Sequence, residues 1–379
     1  MRILLVGEYS RLHNSLKEGL QKIGHEVIIM ASGDGFKQYP VDVYINHSFH
    51  NKFLKKFKVL FFRLTAIDLG SIELYFKAKK QLKKLGNFDV VQLINESSLK
   101  IHPNYEIKFI ERLLKQTKKL YLLSCGIDYV CMTHMMQDKF RYSIMTPYLQ
   151  DKLLNKTYKF QLIYLTKPYK KLHDYILKHC NGVIATDMDY HLPYLGKKKY
   201  LGLIPNPINI EDISFKPLKI EGKIKIFHGV NKAAVHKKGS QYFFDALKFI
   251  EQKYAEKIEI LTVYSLPYKD YIKIYDRCHI LLDQVLSYDQ GYNALEAMAK
   301  GKVVFTGAEQ EWLEYYNLEE DAVAINALPN SNTIAQKLEW LILNPHKIEE
   351  ISKQARTLVE KHHDYKTIAK VYLDTWMNN

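Results

Sequence analysis

The chain has 379 residues, of which 47% are hydrophobic and 25% are charged. This length and composition exclude a largely disordered protein and leave room for two domains with separate cores. No stretch approaches twenty uncharged apolar residues, so we expect no transmembrane helix, and the apolar run at the start is too short for a secretory leader. The four cysteines are scattered, which argues against a zinc site or a disulfide framework and favours a reducing cytoplasm.

The net charge of +14 is concentrated in the first half of the chain. Residues 1–205 hold 33 Lys and Arg against 17 Asp and Glu, whereas residues 206–379 hold 22 against 24. This asymmetry suggests an anionic partner for the first half, and a solvated basic surface that aids solubility is the simpler alternative.

Strand and helix patterns alternate along the first half. Continuous apolar runs with β-branched members predict buried parallel strands. Apolar residues at helical spacing between Leu12 and Ile23 predict a helix that ends at Gly24, and lysine-rich helical segments precede the later strands. The predicted strands are 3–6, 27–30, 88–94, 120–123 and 182–185.

Segment 51–64, NKFLKKFKVLFFRL, mixes five basic residues with large apolar ones. The pattern predicts either a basic amphipathic helix that lies on an anionic membrane surface or an ordinary helix packed on its own domain with its lysines outside. The sequence does not decide between the two.

The pattern changes near residue 205. Residues 203–222 contain three prolines and little periodicity, which is typical of a linker. Beyond it, strands are predicted at 224–228, 258–264, 280–285 and 303–306, and helices at 241–251, 268–277 and 294–299. We therefore predict an α/β protein with two Rossmann-like parallel-sheet domains, 1–205 and 206–363, that face each other across a ligand-binding cleft, followed by a helix at 364–379.

A glycine loop runs into a predicted helix near residue 291. Gly291 allows close approach of the backbone to a ligand, and the unpaired first amides at Tyr292 and Asn293 suit a phosphate. Glu296 lies about one turn into the helix, where its carboxylate could accept hydrogen bonds from a ribose diol. An ion pair with Lys300, four residues later, is the alternative.

A second basic cluster follows the strand predicted at 224–228. Asn231 and Lys232 stand just past the end of the strand, and Lys238 stands just before the next helix. Lysines at this edge are well placed to neutralise a diphosphate, although lysines in loops are often only solvated.

These clusters resemble the donor-binding half of family 4 glycosyltransferases (glycosyl transferases group 1), which have the GT-B fold. "IPNPINI" is also similar to the family's interdomain segment. The other matching elements occur in the family's order: His228-Gly229-Val230-Asn231-Lys232, Lys238-Gly239, Gly291, Leu295-Glu296-Ala297-Met298-Ala299 and Gly301-Lys302-Val303-Val304.

The resemblance implies transfer of a sugar from a nucleotide-sugar donor, which is a substrate and not a cofactor, with retention of configuration and without a metal. In the family, the equivalent of Glu296 binds the ribose and that of Lys238 binds the diphosphate, while Lys232 is nearest to the family's loop arginine. Another Glu of the family, eight residues before the ribose-binding one, is Tyr288 here. The adjacent Asp289 is a donor-binding candidate that could turn in to replace this Glu, although its side chain is shorter. That Glu touches the donor sugar, so the sugar and the anomeric outcome stay open.

The resemblance also implies that the first half binds the acceptor and that the last helix crosses back to it. No Ser/His/Asp set can be placed, so no catalytic residue is assigned. The acceptor candidates all follow predicted strands of the first half: Glu8, Arg11, His13, Asn95, Glu96 and Asp128.

The leading hypothesis is a cytoplasmic glycosyltransferase, peripheral on the inner face of the membrane, that acts on a glycan or lipid-linked acceptor in bacterial surface polysaccharide biosynthesis. A nucleotide-sugar epimerase on the same scaffold is the nearest alternative. The charge alone also suggests a nucleic-acid-binding protein, but no motif for DNA or RNA is present, so we expect no nucleic acid. A dehydrogenase would need Gly-x-Gly-x-x-Gly after the first strand, where the chain reads Gly7-Glu8-Tyr9-Ser10-Arg11-Leu12.

Overall fold

The structure, a computed structural model, describes residues 1–33, 39–49, 52–65, 67–266 and 268–379. Its first sheet is built from runs that are apolar throughout, such as Ile3 to Val6, in which every residue is fully buried. The strands are β1 (Arg2–Val6), β2 (Glu26–Ala31), β3 (Val43–Tyr44), β4 (Phe88–Leu93), β5 (Thr117–Ser124), β6 (Gly182–Ala185) and β7 (Tyr200–Leu203). They are all parallel, in the order β3-β2-β1-β4-β5-β6-β7.

Helices cover this sheet and connect its strands. Several begin at an acidic residue whose side chain accepts a hydrogen bond from the first turn, as Asp68, Asp128 and Asp187 do. The helices are α1 (Leu12–Lys22), α2 (Lys52–Thr65), α3 (Leu69–Leu85), α4 (Pro103–Leu113), α5 (Tyr129–Met136), α6 (Thr146–Gln150), α7 (Lys159–Leu162), α8 (Lys167–His179) and α9 (Met188–Tyr194).

The second sheet is also parallel, which confirms the predicted class of two α/β domains. Its strands are β8 (Ile224–Val230), β9 (Ile258–Tyr264), β10 (Ile280–Leu282), β11 (Val303–Thr306) and β12 (Ile325–Asn326), in the order β12-β11-β10-β8-β9. The helices that follow the linker are α10 (Val235–Lys238), α11 (Ser240–Tyr254), α12 (Tyr268–Tyr275), α13 (Tyr292–Ala299), α14 (Gln310–Tyr316), α15 (Ser331–Leu343), α16 (Pro345–His362) and α17 (Tyr365–Asn378).

Each sheet has a point where the strand order reverses. In the first sheet it lies between β1 and β4, and in the second between β8 and β10. Open parallel sheets bind ligands beyond the carboxyl ends of the strands at such points. The loops after β8 and β10 are therefore the natural place for a ligand in the second domain.

The chain crosses between the sheets twice, and the two crossings lie side by side. Ile208 donates its amide to the carbonyl of His363 over 2.7 Å, and Tyr365 donates its amide to the carbonyl of Ile208 over 3.1 Å. Beyond this crossing, α17 packs on α1, where Gly19 allows close contact because a Cβ there would lie 2.3 Å from the carbonyl oxygen of Tyr365. The last helix thus packs on the first domain.

Helix α2 is poorly buried along its whole length. It covers segment 51–64 except Asn51, which lies outside the described residues, and none of its described side chains is buried. Among the helices of the described chain, none is both long and apolar enough to span a bilayer.

Candidate donor site

Three polar side chains meet where the strand order of the second sheet reverses. Lys238 donates from Nζ to Oδ1 of Asp283 over 2.8 Å, and Asn293 donates from Nδ2 to the same oxygen over 2.9 Å. The Asp283 side chain is only 3% exposed, whereas that of Lys238 is 33% exposed. Asp283 therefore ties two of the predicted donor residues together while the ammonium group stays reachable.

Asp283 is a member of this cluster that the sequence interpretation missed. The strand predicted at 280–285 ends at Leu282, so Asp283 leaves the sheet as the first residue of the loop. An acid directly after the apolar run Ile280 to Leu282 was the available signal, because side chains at this edge of a parallel sheet face the ligand-binding crevice.

The start of α13 is open in front of its glycine. Gly291 has an ordinary backbone conformation, with φ −71° and ψ 169°, and no side chain caps the helix. A Cβ on Gly291 would have the side-chain Nε2 of Gln284 as its nearest neighbour, 3.8 Å away. Neither strain nor packing requires glycine here, and its effect is to leave room next to the positive end of the helix.

Glu296 is half-buried one turn inside α13. The alternative that pairs it with Lys300 loses support, because the ammonium of Lys300 lies 2.5 Å from Oδ1 of Asp276. Burial raises the pKa of Tyr275 and of Tyr292, and the Glu296 carboxylate raises both further. The carboxylate thus acts electrostatically on aromatic side chains of both α12 and α13.

Asn231 and Lys232 lie at the outer side of the same edge. Both are exposed, and Asn231 caps the short 3-10 turn at 232–234 by accepting from the amide of Ala233 over 3.0 Å. The Lys232 ammonium lies 5.7 Å from the centre of the ring of Tyr264, the last residue of β9. These two residues therefore bond to their own loop and its neighbouring strand, and the predicted donor residues do not all form one cluster.

Two other predicted donor residues contact the first domain. The hydroxyl of Tyr292 lies 2.5 Å from the hydroxyl of Ser15 and donates to the carbonyl of Pro207 over 2.8 Å. Asp289 is buried, and its Oδ2 accepts from the amide of Met188, the first residue of α9, over 2.8 Å. The suggestion that Asp289 replaces the missing glutamate is therefore not supported, because its carboxylate caps a helix of the opposite domain.

Tyr288, at the position of that glutamate, packs between the domains as well. Its hydroxyl accepts from the amide of Arg141 over 2.8 Å, and the rings of Phe140 and Tyr142 lie 4.9 and 5.5 Å from its own. The Arg141 guanidinium lies 2.6 Å from Oε2 of Glu309. The first domain thus closes over the position where the family has an acidic side chain.

A group of three carboxylates lies beside Tyr288. Oxygens of Asp187, Asp189 and Asp289 lie within 4.8 Å of one another, a spacing that could hold a metal ion. Asp189 accepts from the amide of Tyr288 over 3.2 Å, so it and Asp289 form a reciprocal pair of hydrogen bonds across the interface. Burial raises the pKa of Asp189 to about 6, and that of Asp289 rises through burial and the nearby Asp189 carboxylate.

The acceptor candidates that follow β1 support the loop itself. Oε2 of Glu8 accepts from both the amide and the side chain of Asn14, at 2.9 and 2.6 Å. Arg11 pairs with Glu18 at 3.0 Å and with Asp212 of the linker at 3.1 Å. His13 is fully buried and hydrogen-bonds to the carbonyl of Gly7 over 2.7 Å, and burial lowers its pKa to about 3.

The other three acceptor candidates are buried as well. Asn95 donates to the carbonyls of Cys125 and Ile127, both at 3.1 Å, and Glu96 bonds to His173 inside the domain. Asp128 caps α5 and accepts from the hydroxyls of Ser124 and Tyr194 at 2.7 and 2.9 Å. With the exception of the half-exposed Arg11, these residues hold loops in place below the surface, and the expectation that they contact an acceptor is not supported.

A family model described as "Glycosyl transferase-like" matches residues 229–374. The match begins at the end of β8 and includes Lys238, Asp283 and Asn293. The chain has the GT-B fold. The match agrees with the resemblance of the second half to group 1 glycosyltransferases.

Solved structures agree with this fold. HepE from Anabaena in complex with UDP-glucose has 13% identity and a TM-score of 0.61, and sucrose-phosphate synthase from Thermosynechococcus elongatus has 13% identity and a TM-score of 0.60, each over 100% of both chains. A putative UDP-N-acetylglucosamine 2-epimerase from Listeria monocytogenes has 9% identity and a TM-score of 0.54 over 98% of this chain and 94% of that one. A comparison with curated proteins gave no match.

Proposed function

We propose that this protein is a glycosyltransferase. It moves a sugar from a nucleoside-diphosphate donor to a glycan or lipid-linked acceptor, at the cytoplasmic face of the membrane and in the biosynthesis of a bacterial surface polysaccharide. The observation that carries the donor assignment is the cluster of Lys238, Asp283 and Asn293 next to the open start of α13. The donor class is further supported by HepE, whose structure holds UDP-glucose.

The diphosphate lies between the Lys238 ammonium and the start of α13 in this proposal. Asp283 keeps the lysine in place before the donor arrives, and the partial positive charge at the helix start adds to the charge of the ammonium. Glu296, one turn further, accepts hydrogen bonds from the ribose hydroxyls. Charge-assisted bonds of this kind contribute about 1.5–3 kcal/mol each.

During transfer, the bond from the anomeric carbon to the diphosphate oxygen breaks and a bond to the acceptor oxygen forms. The acceptor's proton passes to the departing diphosphate, with retention of configuration, as the family resemblance implies. Lys238 and the helix start stabilise the charge that develops on the diphosphate, so the reaction as proposed needs no metal.

Thermal stabilisation by nucleotides tests the donor site. One of UDP-, GDP- and ADP-sugars should raise the melting temperature of the wild type, because a ligand at 100 times its Kd adds about 2.7 kcal/mol. The variant Glu296→Ala should lose this response. The matched control is Glu251→Ala on the exposed side of α11, which should respond like wild type.

The same samples separate transfer from epimerisation, a distinction that matters because the fold also matches a putative epimerase. A transferase releases nucleoside diphosphate in the presence of acceptor. Interconversion of the donor sugar without acceptor would contradict the proposal, as would an unchanged thermal response of Glu296→Ala.

A further inference from the structure

Helix α2 exposes an apolar stripe to solvent. Phe53, Phe57, Leu60 and Leu64 recur at i, i+4, i+7 and i+11, a spacing that places them on one face of the helix. Their exposed fractions are 78%, 48%, 57% and 77%. A surface helix of a globular protein normally turns such a face to the core, so this stripe is the kind of patch that marks an interaction site.

Only the side next to the stripe packs on the domain. Leu54 and Phe61 are half-buried there, and α2 contacts α3 near Gly70, where the Lys58 ammonium lies 3.1 Å from the place that a Cβ on this glycine would occupy. The helix is thus attached to the domain along one edge, and the interpretation of segment 51–64 as an ordinary packed helix is not supported.

Helices α2 and α3 are rich in positive charge. Residues 52–85 hold ten Lys and Arg against two Asp and Glu. Five of the lysines lie on α3, and a cavity of about 490 Å³ between α3 and α4 is lined by Phe76, Leu82, Lys79, Lys83, Arg112 and Lys115, among others. Cations beside exposed phenylalanine and leucine match the interface of an anionic bilayer, where phosphates lie next to the acyl region.

We propose that α2 and the lysine-rich surface of α3 form a docking surface for a bilayer of anionic phospholipid. The stripe inserts at the boundary of the acyl chains, and the lysines contact lipid phosphates. Charge favours the bilayer over a second copy of the chain, because two copies meeting on this surface would bring twenty cations together against four acids. The proposal involves no residue of the donor site, so it stands or fails independently of sugar transfer.

Vesicle sedimentation tests the surface directly. Wild type should pellet with vesicles of phosphatidylglycerol and phosphatidylcholine but not with pure phosphatidylcholine, and 0.5 M salt should weaken the binding, about ten times or more. Leu60→Ser/Leu64→Ser should bind roughly tenfold more weakly and keep its melting temperature, since both side chains are exposed. The control is Leu153→Ser, which replaces a leucine that is 91% exposed outside this surface.

A second measurement locates the contact. Leu60→Trp should show blue-shifted emission with anionic vesicles and be quenched by brominated lipid. Equal pelleting of wild type and the double variant would overturn the proposal. It would also be overturned if wild type bound no vesicles but formed concentration-dependent dimers that the double variant did not form. Donor-induced thermal stabilisation of the double variant should match wild type, which separates this result from any failure of the donor site.

Discussion

The two sheets use polar residues at their carboxyl edges in opposite ways. In the first domain, Asp128, Glu96 and His13 are buried and bonded to loops of the same domain. In the second, the Lys238 ammonium reaches solvent while buried Asp283 holds it in place. Position at the end of a strand is therefore a weak indicator of ligand contact, and an exposed charge with a buried partner is a stronger one.

The largest expected effect concerns Asp128 in the first domain. Asp128→Ala leaves two buried hydroxyls and the first turn of α5 without their acceptor, so the free energy of unfolding should fall by about 3 kcal/mol or more in urea titrations. Asp151→Ala is the control, because Asp151 caps an exposed turn and should cost only about 0.5–1 kcal/mol. A higher KM for the acceptor, with an unchanged free energy of unfolding, would instead show that Asp128 contacts the acceptor.

Lys238 should show the opposite behaviour. Lys238→Met keeps the length of the side chain but removes its charge, so calorimetry should give a roughly 10- to 150-fold higher Kd for nucleoside diphosphate, equivalent to about 1.5–3 kcal/mol. Lys248→Met on the exposed side of α11 should leave the Kd unchanged. If Lys238→Met and Lys248→Met bind nucleoside diphosphate with the same Kd, then Lys238 and Asp283 do not form a ligand site.

The smallest effect is expected where the two domains meet. The pKa of Asp189 is raised to about 6 by burial, against an ordinary value of 3.8. Between these values the folded protein holds a proton that the unfolded chain releases, so this residue stabilises the fold as pH falls from about 6 to 4 and destabilises it above. Wild type should therefore gain stability relative to Asp189→Asn on acidification, by at most about 1.4 kcal/mol per pH unit.

Urea titrations at pH 7.5 and pH 5 measure this difference. The comparison with the variant is needed because burial lowers the pKa of His13, His228 and His363, which acts in the opposite direction in both proteins. A stability difference that does not change with pH would show that Asp189 is ionised in both folded and unfolded states.

Much of the fold could be predicted because its signals are local. Apolar runs such as 258–264 and 303–306 coincide with β9 and β11 residue for residue. Three strands were missed: β3 and β12 have two residues each, and β7 has four half-buried ones with a glycine. Such short strands exist because the neighbouring strand offers free backbone groups, and that information is not local.

The candidate donor site was less accessible to prediction. Glu296, Gly291 and Lys238 could be proposed from the sequence because motif order and helix starts are visible there. The roles of Tyr288 and Asp289 were not, since both depend on Phe140 and Met188, which lie about a hundred residues or more earlier in the chain. Contacts between domains leave no periodic pattern in either partner.

Helix α17 has a consequence for any attempt to divide the molecule. It is the end of the second half in sequence, yet its Trp376 is fully buried and its backbone accepts hydrogen bonds from Lys119 and Tyr121 of the first sheet. A fragment meant to hold the second domain alone should stop before Tyr365, since a retained α17 would expose its aromatic side chains to water. The complementary fragment would be missing part of its own interior unless the tail peptide were added back.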